Sequence, residues 1–153
     1  MSAQDEAGGG GESDGDVPTE LDERLLRGLD LFDAGEHYEA HEVLEDLWAG
    51  EVGATRHLLQ ALIQVTVALH HRGNGNHGGA STLLGRALEH LAAVKAPLCF
   101  VDVRALERGV VALHHEALER AAGRDAAEAP IPSFEATRAR IREGRRAARL
   151  PEI

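Results

Sequence analysis

Between Tyr38 and Trp48 the chain gathers side chains that can do chemistry: Tyr38, His41, Glu42, Glu45 and Trp48. Wound as a helix at about 100° per residue, Tyr38, His41, Glu42 and Glu45 fall on one flank. Ala40, Val43, Leu44 and Leu47 form an apolar face beside it, and Trp48 stands at the seam. A second stripe follows on a more apolar stretch, where His57, Gln60, Gln64 and His71 recur at spacings of three, four and seven. A helix this apolar is expected to be covered on most sides, so its polar groups need partners or each costs about 1–3 kcal/mol of desolvation. The nearest candidates in sequence are His41, Glu42 and Glu45. The expectation is a polar pocket between the two helices holding imidazoles, carboxylates and carboxamides.

Such a pocket suits a divalent ion of zinc, iron or manganese, because i, i+4 spacing lets His41 and Glu45 converge and His71 supplies a third ligand. Glu42 would then serve as general base or fourth ligand, Gln60 and Gln64 would orient substrate or water, and Tyr38 and Trp48 would contact substrate. His41-Glu42-Val43-Leu44-Glu45 reads H-E-x-x-E, one residue short of the H-E-x-x-H of zinc proteases. The Glu-x-x-His pair of di-iron bundles is absent, since position 38 is Tyr. The competing expectation is a noncatalytic helical protein-binding module in which the same cluster is a structural hydrogen-bond network.

Other motifs carry less. Gly73-Asn74-Gly75-Asn76-His77-Gly78 spells G-x-G-x-x-G, but a helix precedes it where a dinucleotide site needs a strand; the glycines end one helix and Asn76 caps the next. Val67-Ala68-Leu69-His70-His71 recurs as Val111-Ala112-Leu113-His114-His115, five residues of common types. The Arg-rich end, Arg138 to Arg149, lacks interleaved aromatics and reads as a solvated helix near the acidic N-terminus. Cys99, the single cysteine, reads as a small core residue and excludes a disulfide scaffold.

The elements that must position these groups are all helices. Thr19-Glu20-Leu21-Asp22 has the form of a capping box, and Leu21, Leu25, Leu29 and Phe32 follow at helical spacing until Gly35. Further helices are expected over about 36–49 and about 54–72, the latter central. A fourth begins after Asn76 and closes before Pro97; a fifth, capped by Asp102, runs to Gly123. Residues 124–132 are a linker that lies against the body through Ile131, and Ser133 caps a last helix over 134–149. The chain thus divides into an acidic, Gly-rich, disordered tail (1–17), a helical domain (18–123) and a linker with a basic C-terminal helix (124–153). Short connections predict an all-α, up-and-down bundle of about five helices plus the C-terminal one.

In 153 residues the chain carries 43% hydrophobic side chains but only 3% aromatic ones, so its core must be Leu, Val and Ala. The net charge is −10: residues 1–23 hold eight acids and no base, residues 24–133 fifteen acids against ten bases, and residues 134–153 six Arg against three Glu. An acidic chain disfavours nonspecific binding to nucleic acid or anionic membranes. No apolar run reaches a membrane span and the N-terminus lacks the order of a signal peptide, so a cytoplasmic location is expected, with a homo-oligomer or a protein partner left open.

Phe32-Asp33-Ala34-Gly35, then Tyr38 to Glu45 and Trp48, resembles the signature of an uncharacterised family known as domain of unknown function 309. Gln60, Leu62, Ile63, Gln64, Ala68, Leu69, His71, Gly75-Asn76 and Gly79-Ala80 extend the resemblance, which covers about 32–91. His70, where the family often has an aromatic, and Ala61, where it commonly has Gly, depart from it. The resemblance implies a compact helical fold and places the family's polar positions on the pocket derived above. It also implies, through the label some members carry, a metal-dependent hydrolase.

Overall fold

The computed structural model describes residues 17–148, so all but Val17 of the acidic tail expected at 1–17 lies outside the described residues. The described residues form six α-helices and no strand: α1 (Glu20–Asp33), α2 (His37–Trp48), α3 (Gly53–Gly73), α4 (His77–Ala92), α5 (Val103–Ala121) and α6 (Glu135–Ala148). The caps explain the starts. Thr19 and Asp22 exchange side-chain and backbone bonds in a capping box, Asn76 accepts from Gly79 N, and Asp102 accepts from Ala105 N. Each of α1 to α5 packs on its sequence neighbour, and α6 returns to α1. The α1–α2 and α3–α4 connections turn tightly on Gly35 (φ +82°) and Gly75 (φ +77°), a left-handed backbone that side chains disfavour.

Because α3 lies between α2 and α4, it supplies most of the core. Leu58, Leu59, Leu62 and Val65 are each no more than 1% exposed, and burying such a side chain contributes about 1.5–3 kcal/mol. Three details depart from the sequence reading. First, α4 ends at Ala92, well before Pro97, because Arg104 reaches back to donate to the carbonyls of Leu91 and Val94. The chain then makes a two-residue turn in which Cys99 and Phe100 take φ of 54° and 66°, closed by Leu98 and Val101. That strain is offset by seating the Phe100 ring against Leu26 of α1 and Ile141 of α6.

Second, the strap over 124–134 is held by buried Ala129 and Phe134, whereas Ile131 is about half exposed. Phe134 N donates to both oxygens of Asp33, and its ring meets Phe32 edge-on. Third, α6 is not a solvated helix. Arg138 bonds Asp30 (2.7 Å) and Asp33 (2.9 Å), Arg142 bonds Asp30 (2.7 Å), and Arg145 lies 3.4 Å from Glu23. Asp30 and Asp33 sit at the C-terminal end of α1, where the helix dipole repels acids; the α6 arginines neutralise them.

Candidate functional site

The polar flank of α2 is largely at the surface. Packing of Ala40, Leu44 and Leu47 into the core leaves Glu42 and Glu45 exposed and Tyr38 72% exposed. His41 is partly buried, and its Nε2 lies 3.1 Å from Oε2 of Glu45, one turn along the same helix. The Tyr38 hydroxyl donates to Glu42, an arrangement that raises the phenol above its ordinary pKa. Trp48 is covered by Arg56, whose guanidinium carbon stands 3.8 Å from the ring centre.

The stripe on α3 is likewise served locally. The exposed His57 has its Nδ1 2.9 Å from Nδ1 of His90 on α4, and His71 Nδ1 lies 3.2 Å from Asn76 Nδ2. Gln60 is partly buried. Gln64 is buried, and its Oε1 has no hydrogen-bond partner. Among the described residues no hydrogen bond or ion pair joins His41, Glu42 or Glu45 to Gln60, Gln64 or His71. Nor does any group of three or more His, Cys, Asp or Glu stand where it could hold a metal ion. The residues present therefore do not fit the divalent ion that the sequence and the resemblance imply: His41 and Glu45 meet each other, and His71 is engaged at the α3–α4 turn.

A different cluster, not evident from motif reading, forms at the end of the bundle where α1, α3 and α5 finish. A cleft of about 610 Å³ opens there, walled by His37, His70, His77, Arg72, Glu116 and Arg120. Its floor is an ionic network. Glu116, 4% exposed, accepts from Arg72 Nη2 (2.7 Å), Arg120 Nε (2.9 Å) and Ala129 N (2.9 Å). The same guanidinium groups donate to the strap, Arg72 to Ala129 O and Arg120 to Ala126 O. Burial alone would raise the Glu116 pKa, but the Arg72 bond, the Ala129 N–H and the two nearby charges outweigh it and hold the carboxyl below its ordinary value.

The imidazoles arrive by repetition. Gly35-Glu36-His37-Tyr38-Glu39-Ala40 and Gly75-Asn76-His77-Gly78-Gly79-Ala80 make the same turn 40 residues apart. Glu36 N bonds Leu31 O (2.9 Å) and Asn76 N bonds His71 O (2.8 Å), and each His is the first residue of its helix. The buried Ala40 and Ala80 lock both turns to the core. A Gly-x-His-x-x-Ala pattern at that interval was the signal available in the sequence. Burial foremost, and then His70, hold the His37 imidazole below its ordinary pKa, with Glu36 opposing. His77 Nδ1 is buried without a partner, a deficit of about 1–3 kcal/mol for an unmet polar atom.

No helix among the described residues is long and apolar enough to cross a membrane. No curated protein matches the chain. Residues 25–83 contribute His37, His70, Arg72 and His77 to the cleft, while Glu116 and Arg120 come from beyond that segment. From within α1 to within α4, over residues 25–83, the chain matches the family described as a domain of unknown function (DUF309).

Proposed function

We propose that the chain is a noncatalytic helical binding module whose outer α2 face docks a basic segment of a protein partner. The observation that carries this reading is Tyr38, 72% exposed and hydrogen-bonded to Glu42 on a helix that holds four acids and neither Lys nor Arg. An exposed, tethered tyrosine offers contact area at low entropic cost, and the acids at 39, 42, 45 and 46 supply the complementary charge. The metal-dependent hydrolase reading lacks comparable support, since His41 and Glu45 meet each other while His71 is engaged apart from them at the α3–α4 turn.

A ten-residue Lys- and Arg-rich peptide, titrated into the full chain and followed by amide NMR shifts, tests the reading. Saturable shifts along α2 are expected, weakening as salt rises, with affinity reduced about tenfold by Tyr38→Ala combined with Glu42→Lys. Shifts confined to other helices, or an affinity untouched by those changes, would overturn it.

A further inference from the structure

Beyond the α2 face, we propose that the cleft walled by His37, His77, Arg72 and Arg120 binds a small oxyanion, a phosphate or a carboxylate carried on a compact organic molecule. Charge comes first. Arg72 and Arg120 carry two positive charges into the wall, and Glu116 between them returns only one negative charge. Glu128 approaches Arg72 at 3.8 Å, but its side chain is 80% exposed. The guanidinium groups are also rigid, because each is fixed both to Glu116 and to a strap carbonyl. Two fixed guanidinium groups, opposed in the lining by Glu116 and the exposed Glu128, favour an anion over a metal ion.

The imidazoles supply the polar complement. His37 and His77 open α2 and α4, so the positive ends of two helices reach the cleft with them, and no side chain caps the N-terminus of α2. His77, whose buried Nδ1 has no hydrogen-bond partner, adds an unmet polar atom to the cleft wall. The cleft volume, about 610 Å³, exceeds what a bare ion fills, and Leu69 and Ile131 offer apolar wall for the rest of the ligand. His37, kept neutral by burial and by His70, gains a proton when an anion arrives, so binding takes up protons and tightens as pH falls. The charged groups facing it are Glu36 beside it, His70 and Arg72 from α3, His77 from α4, Glu116 and Arg120 from α5, Glu128 from the strap and, on its other side, Asp33 from α1 with Glu135 and Arg138 from α6.

Inorganic phosphate and succinate, each titrated into the full chain at pH 6 and pH 8 while the nine imidazole Cε1–H signals are followed by NMR, test the proposal. Saturable shifts of the His37 and His77 signals are expected, with binding about tenfold tighter at pH 6. His37→Gln and His77→Gln should each weaken binding about tenfold while melting as the wild type does, and His41→Gln should leave it unchanged. Preference for phosphate marks a phosphoryl ligand, and preference for succinate a carboxylate; both support the site. An adventitious pattern, in which all nine signals drift without saturation, would overturn the proposal. So would wild-type His37 and His77 signals that neither anion moves.

Discussion

Replacing Glu116 with alanine is expected to destabilise the protein by about 3–5 kcal/mol, measured by chemical denaturation at neutral pH. The carboxylate is the shared acceptor of Arg72, Arg120 and the Ala129 N–H, and its side chain is 6% exposed. Removing it leaves two guanidinium groups without their counter-ion and a buried amide without an acceptor, which costs more than the ion pairs themselves contribute. The strap over 124–134 loses its central anchor at the same time, so protease cleavage there should accelerate. A loss below about 1 kcal/mol would mean the network is dispensable. Acidity provides a second reading of the same group. Glu116 is held below its ordinary value, so its contribution is complete well above that value, from about pH 6, and is lost progressively as pH falls through it to the lower native value. Asp30 behaves alike: burial opposes, but bonds from Arg142 and Arg138 keep it low. Stability should therefore fall in acid, and less steeply in Glu116→Gln than in the wild type.

The second large effect is expected in the centre of α3. Leu62→Ala should cost about 3–4 kcal/mol and lower the melting temperature by about 10 °C. Leu62 is 1% exposed, on a helix that α2 and α4 cover from both sides. With only 3% aromatic residues the core is built mainly of aliphatic side chains, packed closely enough that a removed side chain leaves a cavity. Leu118→Ala, at a position 48% exposed on α5, is the control and should change stability by no more than about 0.5 kcal/mol. Equal losses at the two sites would show that α3 is not the core element described here.

The helices were legible because their signals are local. Thr19, Asn76 and Asp102 cap, glycines stop, and apolar residues recur every three or four positions. What escaped is fixed by distant partners. Arg104 caps the end of α4 from the next helix, Glu116 seizes the strap, and Asp30 and Asp33 bring back α6 from more than 100 residues away. Spacing can place the α3 stripe on one face of a helix, but it cannot say which neighbour covers that face. Packing of Ala40, Leu44 and Leu47 turned His41, Glu42 and Glu45 towards the surface instead of towards Gln64. His37 and His77 went unnoticed because each looked like an isolated helix-start residue; their common register becomes meaningful only when both turns meet at one end of the bundle.

Reconstitution with zinc, iron and manganese, followed by metal analysis of wild-type and His41→Ala protein free of any tag, tests most directly whether this module works by binding surfaces and not by a bound ion. The account predicts no stoichiometric ion in either protein. It also predicts only a small loss of stability in the variant, about 0.5 kcal/mol, for the single turn-spaced pair with Glu45. One ion per chain in the wild type, lost in His41→Ala, would contradict it.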